Sequence, residues 1–192
     1  MASSSQFQKL AEKILKDTPT VSCELLILSY GSLVLQLIED FDDMDEVNKR
    51  LYAMGEYMGE RMIDEYFVLT KFDTPCENFR GTSEPISKLA LRLFLGIQTA
   101  QVRSVVTNDK NDAIQYSIIF HDNPLNEFVH LPDKYKNTLW YSNMICGAIS
   151  GALKKMLFET DVTFLKDYLR GDDSNEIRVK LIKELKPIKE EE

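Results

Sequence analysis

The sequence predicts an α+β fold in a single domain, with helices packed on one face of an antiparallel sheet. Three observations carry this expectation. As far as Leu95, apolar residues return every three or four positions, the period of an amphipathic helix. From Gln98 the period changes to two, and turn signals at Asn108-Asp109-Lys110-Asn111 and Gly171-Asp172-Asp173-Ser174-Asn175 each join a pair of strands. At 192 residues the chain is long enough for one proper core.

Phe7, Leu10, Ala11, Ile14 and Leu15 predict a short helix over 6–17, ended by Thr18-Pro19-Thr20, and residues 1–22 are read as an N-terminal extension. The domain proper spans 23–184. A helix over 23–41 carries Leu26, Tyr30, Leu33, Val34, Leu37 and Phe41 on one face. The acidic turn Asp42-Asp43-Met44-Asp45 offers carboxylates to the N-terminus of the next helix, where the dipole favours them. That helix, 45–69, has the stripe Val47, Leu51, Met54, Met58, Met62 and Tyr66, with Gly55 and Gly59 beside it. A glycine inside a helix costs about 1 kcal/mol against alanine, so a neighbouring backbone should approach closely there. After a loop at 70–81, Thr82 or Ser83 caps a helix reaching Leu95, with Pro85 in its first turn and Ile86, Leu89, Ala90 and Leu93 as its buried face. Strands follow at 101–107 and 113–121, the second with Ile114, Tyr116, Ile118 and Phe120 on one side. Pro124 and Pro132 interrupt the chain, a helix covers 137–157, and strands at 161–169 and 176–184 complete the domain. Residues 185–192 are an acidic tail expected to fray.

With 31 acidic against 23 basic residues the formal charge is −8, which argues against a nucleic-acid partner and against unspecific adhesion to anionic lipid. No apolar run approaches the roughly 20 residues of a membrane span, and the first residues lack the apolar segment of a secretory signal. Cys23, Cys76 and Cys146 are an odd, sparse set, unlike a disulfide framework. A cytoplasmic chain with reduced thiols is expected, meeting membranes through partners or a modification. Cys23 and Cys146 are read as buried small hydrophobes. His121 and His130 stand in no catalytic signature, and neither Cys-x-x-Cys nor His-x-x-x-His occurs, so no catalytic residue and no metal site are expected. Asp42, Asp43 and Asp45 lack the glycine and terminal glutamate of an EF-hand. Gly-x-x-x-Gly occurs at 55–59 and 147–151 beside Glu56, Glu60 and Lys154, which points to close packing of water-exposed helices, within the core or at an interface. Trp140 is an aromatic anchor for the core or for an interface.

The strings YGSLVLQL (30–37), MGEYMGERMIDEY (54–66), NPLNEFVHLP (123–132), LWYSNMICGAISGAL (139–153) and FLKDYLRGDDSNEIRVKL (164–181) stand in order along the chain. Through them it resembles the small subunits of the transport protein particle (TRAPP) family, in particular the S-acylated core subunit. The resemblance implies a helical layer over a twisted four-stranded antiparallel sheet and pairwise association through helices, as a hetero-oligomer with other TRAPP small subunits or a homodimer in isolation. Interface candidates are then Gly55, Met58, Gly59, Met62, Trp140, Gly147 and Gly151, with partners on the 23–41 and 45–69 helices. It implies a non-enzymatic scaffold in a vesicle-tethering complex for transport from endoplasmic reticulum to Golgi. That complex supports guanine-nucleotide exchange on a Rab/Ypt-type GTPase. The chain would be cytoplasmic, and peripheral at the cis-Golgi and endoplasmic reticulum through the complex.

The resemblance also places Cys76 at the family's S-acylated cysteine. No cofactor is implied beyond a palmitate in thioester linkage there, lying in an internal tunnel for which Ile86, Leu89, Ala90 and Leu93 are lining candidates. Burying about 14 methylenes at about 0.8 kcal/mol each is worth up to roughly 11 kcal/mol. The residue before this cysteine is basic in the family and is Pro75 here. The alternative class is a fatty-acyl-binding sensor domain, which would exchange a free ligand.

Overall fold

A computed structural model describes residues 4–72, 76, 78–108 and 112–186. The helix at the N-terminus, α1 (Ser4–Asp17), buries Phe7, Ala11 and Ile14, and it packs beside Ile63, Tyr66 and Leu89. Helix α2 (Cys23–Asp40) starts at Ser22, whose hydroxyl accepts from the Leu25 amide at 3.4 Å. Helix α3 (Met44–Thr70) starts at Asp43, whose carboxylate accepts from the Asp45 amide at 3.0 Å. The carboxylates of Asp45 and Glu46 fill its first turn, as the dipole favours.

The buried column of α3 runs Val47, Leu51, Gly55, Gly59, Ile63, Tyr66, so it passes through the glycines rather than the methionines. Met54 and Met62 are half-buried and Met58 is exposed. The cause is helix α5 (Asn143–Lys155), which lies against α3 with backbone nearly on backbone. A side chain at Gly55 would strike the Met144 carbonyl and come within 2.9 Å of the Ala148 nitrogen. One at Gly147 would strike the Tyr52 carbonyl, and one at Gly151 the Glu56 carbonyl. Of the two readings left open for the glycine pairs, packing within the chain is what is observed.

The segment after the expected loop departs from the regular helix expected as far as Leu95, and the end of that loop is itself helical. Phe79–Thr82 is a 3-10 turn, Pro85–Ala90 is π-helical, and only Leu91–Leu95 (α4) is α-helical, closed by Gly96 at φ +72°. The Leu91 amide reaches back five residues to the Ile86 carbonyl. Thr82 and Ser83 do not cap this helix, because their hydroxyls donate to the carbonyls of Phe79 (2.7 Å) and Arg80 (2.8 Å).

Strands β1 (Gln101–Thr107), β2 (Ala113–Phe120), β3 (Phe158–Lys166) and β4 (Asn175–Glu184) form one antiparallel sheet in the order β1-β2-β4-β3. Asp109, Lys110 and Asn111 of the expected first turn lie outside the described residues. Tyr116, Val179 and Val162 pair across three strands, as do Ile118, Ile177 and Phe164. These two buried rows form the inner face, and α5 packs over it from the β3 side. Ile114, expected on that face, is exposed at the start of β2.

Two boundaries differ from expectation for identifiable reasons. The helix predicted over 137–157 begins at Asn143, because the Asn48 side chain holds the preceding backbone: it donates to the Thr138 carbonyl (2.7 Å) and accepts from the Trp140 amide (2.8 Å). The strand predicted over 161–169 runs from 158 to 166. Leu157 turns the chain at φ +68° directly after α5, and Asp167 then caps a 3-10 turn, Tyr168–Arg170, by accepting from the Leu169 amide.

Candidate functional site

The helices do not fill the space between them. Helix α3, helix α5 and the segment 78–95 border a partly open cavity of about 730 Å³, within the range of roughly 300–1,000 Å³ typical of small-molecule sites. Its walls are apolar, with Met58, Met62 and Ile63 from α3, and Ala148, Ile149 and Ala152 from α5. The small residues that let α5 approach α3 continue as Ala148 and Ala152, whose short side chains leave this side open.

Of the four lining candidates, Ile86 and Ala90 face the cavity, together with Leu91, Phe94 and Leu95. Leu89 is fully buried in a cluster with Phe7, Ala11, Ile63 and Tyr66, and Leu93 packs at the edge of that cluster. The π-helical turn produces this difference. A longer turn carries the inward face from 86 to 90 and 91 and then to 94 and 95, where an α-helical period selects 86, 89, 90 and 93.

Cys76 borders this cavity and also a smaller one of about 290 Å³, beside Lys155, Met156, Glu184 and Leu185. The thiol therefore stands where two spaces meet. It is half-buried, and Sγ donates to the Gly81 carbonyl at 3.4 Å. Burial pushes the thiol above its ordinary pKa, an effect a backbone hydrogen bond only partly offsets. An activated catalytic cysteine shows the opposite shift. Among the described residues no hydrogen bond links His121 or His130 to a cysteine; both histidines are exposed. Pro75, beside the thiol in sequence, lies outside the described residues.

Two phenols stand close enough for a charge on Cys76 to act on them, Tyr66 and Tyr116; burial pushes both well above the ordinary tyrosine range. Tyr66 is one residue whose place in the site sequence reasoning missed, since helical periodicity counted it only as core. Sequence reasoning also missed the structural part of Asn48, outside the cavity, for which its position in a buried stripe beside Val47 and Leu51 was the available signal. Cys146 is buried on the inner side of α5, as expected, whereas Cys23 is exposed because it sits at the first turn of α2 on the side away from the core.

The remaining interface candidates fall in three places. Gly55, Gly59, Gly147 and Gly151 lie at the α3–α5 crossing. Met58 and Met62 line the cavity. Trp140 is half-buried, stacked on Phe164 (centroids 5.9 Å apart) and covered by the Arg170 guanidinium at 3.7 Å. A different surface is left apolar and open: α2 exposes Leu25, Leu28 and Leu35, each more than half accessible, and α3 exposes Tyr57. Among the described residues no helix is long and apolar enough to cross a membrane, and no cluster of three or more acidic, histidine or cysteine side chains could hold a metal.

Residues 26–180 match the family model for a transport protein particle (TRAPP) component. The chain is 40% identical over 185 residues to the trafficking protein particle complex subunit BET3 of Saccharomyces cerevisiae, covering 95% of this chain and 93% of the relative. It is 37% identical over 178 residues to trafficking protein particle complex subunit 3 of Dictyostelium discoideum, covering 93% of this chain and 92% of the relative. Among solved structures it is similar to a trafficking protein particle complex subunit 3 from Naegleria fowleri covalently bound to palmitic acid. The TM-score is 0.80 at 42% identity, over 86% of this chain and 98% of that one. A likeness to the phenol-responsive sensory domain of the transcription activator PoxR, at TM-score 0.58 and 12% identity, concerns the fold alone.

Proposed function

The chain belongs to the TRAPP component family, and we propose that it serves there as a non-enzymatic core scaffold carrying a long acyl chain on Cys76. The observation that carries this reading is the 730 Å³ apolar cavity with a thiol at its border. A hydrocarbon filling that cavity would make dispersion contacts with the apolar side chains around it and remove them from water, so an occupant of matching chemistry stabilises the fold. Thioester formation joins the acyl carbon to Sγ, and the thiol proton departs with the donor's leaving group. The chain then lies between α3, α5 and Pro85–Leu95 as part of the core.

Assembly uses the outer face of α2, where Leu25, Leu28 and Leu35 face solvent and a related small subunit would cover them. The assembled complex tethers vesicles and promotes nucleotide exchange on a Rab/Ypt-type GTPase in transport between endoplasmic reticulum and Golgi, at whose membranes this chain sits peripherally. Its own part is to hold neighbouring subunits in place. Purification of the protein from its native cells, followed by mass spectrometry, is the test. Related small subunits should copurify, and Leu28→Asp should release them while the variant remains folded. A chain that purifies alone, or an intact complex with Leu28→Asp, would count against the assignment.

A further inference from the structure

The cavity beside Cys76 carries few polar side chains, and all but one of its hydroxyls are engaged. Tyr30 Oη donates to the Tyr141 carbonyl. Ser83 Oγ donates to the Arg80 carbonyl, and Thr82 Oγ1 to the Phe79 carbonyl. Having given up its only proton, Thr82 must accept in its 2.8 Å contact with Tyr116 Oη, so the Tyr116 proton is used as well. The exception is Tyr66. It lines the cavity, it is only 7% exposed, and its hydroxyl has no hydrogen-bond partner among the described residues. Glu84 Oε2 is unpartnered too, but a carboxylate offers acceptors.

Native proteins leave few buried hydroxyls unpaired, because each unpaired one loses its bonds to water without replacement. Nor is this ring free to turn away. It packs edge-on against Phe67 and Phe72, at centroid distances of 5.8 and 6.3 Å, and its backbone carbonyl accepts from Thr70 at 2.7 Å. A hydrocarbon chain in the cavity would leave the hydroxyl as it is. The polar atom that an S-acyl chain brings inside is its carbonyl oxygen, one bond from the acyl carbon on Sγ.

We propose that Tyr66 Oη donates its hydrogen to the carbonyl oxygen of the acyl thioester on Cys76, fixing the head of the chain at the border of the cavity. The inference rests on the acylation of Cys76 proposed above. Burial holds the phenol protonated throughout the physiological range, so the donor is always present.

The test uses the full chain, freed of acyl groups with hydroxylamine and reloaded from a long-chain acyl-coenzyme A labelled with ¹³C at the carbonyl. In loading, the Sγ–carbon bond forms, the donor's carbon–sulfur bond breaks, and the Cys76 proton leaves with the coenzyme thiol. Isotope-edited infrared spectra of the thioester carbonyl are compared between wild type and Tyr66→Phe, with loading followed by intact mass. The wild-type band should lie at lower wavenumber, and the variant should load about tenfold more slowly. Coincident bands would overturn the assignment while leaving acylation intact. Absence of a hydroxylamine-sensitive adduct on wild type, or its persistence in Cys76→Ser, would remove the acylation and this inference together. If Tyr66→Phe does not fold, the wild-type band is compared with the same thioester in dry alkane, and a band no lower than that reference also overturns it.

Discussion

Replacing Gly59 by alanine separates two effects of opposite sign. Helix propensity alone predicts that the variant is more stable by about 1 kcal/mol, because glycine is the poorer helix former. The structure predicts the reverse. The new Cβ would lie on the Ala148 carbonyl, with the carbonyl carbon at 2.7 Å and Cα at 2.8 Å. An unstrained carbon contact needs about 3.5 Å or more and the carbonyl oxygen lies nearer than its carbon, so α3 and α5 would have to separate locally by more than about 1 Å. All three nearest atoms belong to backbone, which cannot rotate aside as a flexible side chain can. Overpacking of this kind typically costs about 1–3 kcal/mol and more where backbone must shift, which leaves a net loss of about 2 kcal/mol after the propensity gain. For a chain of this length that lowers the melting temperature by about 4–8 °C. Thermal and urea denaturation of Gly59→Ala measure it. Gly31→Ala is the control, because its Cβ would meet only the Tyr141 hydroxyl, at 3.3 Å. A Gly59→Ala protein as stable as wild type would refute close backbone packing of α3 on α5.

Burial pushes the Asp167 carboxyl above the usual aspartate range. The folded state therefore binds this proton more tightly than the unfolded chain, and its contribution to stability is lost as pH rises from the ordinary aspartate range through the raised value. Asp167→Asn should remove that fall, so the stability difference between variant and wild type should shift toward the variant across the same window in pH-dependent denaturation. Arg170→Ala should lower stability by about 1 kcal/mol and alter the emission of Trp140, the single tryptophan, since the guanidinium no longer covers the ring; unchanged fluorescence would mean that the stack does not persist in solution. Alkylation of unacylated Cys76 by iodoacetamide should keep accelerating above the pH, about one unit beyond its pKa near 8.5, at which an ordinary thiol has levelled off. A plateau at or below that pH would contradict the burial of the thiol.

Much of this architecture was legible because periodicity reports burial directly. Helix α3 was expected over 45–69 and spans Met44–Thr70, and β1 was expected and found over 101–107. What a period cannot report is a change in the helix itself. The π-helical turn at Pro85–Ala90 rotates the wall of the cavity, which is why Phe94 lines it and Leu93 does not. Nor does a period show side chains that capture distant backbone, as Asn48 does in delaying the start of α5. Along α3 the methionines gave the more hydrophobic stripe, yet the glycines are deeper because α5 rests on them. The cavity and the strand order β1-β2-β4-β3 arise from long-range packing, and neither was legible in a linear pattern. The position of Cys76 came from resemblance, and its environment only from the structure.

That a thioester-linked hydrocarbon completes the interior is tested most directly by weighing the native protein and melting it, each before and after hydroxylamine. One long-chain acyl group should disappear from the mass of wild type and be absent from Cys76→Ser, and its removal should lower the melting temperature. No acyl loss at Cys76, or a loss that leaves the melting temperature where it was, would contradict the account.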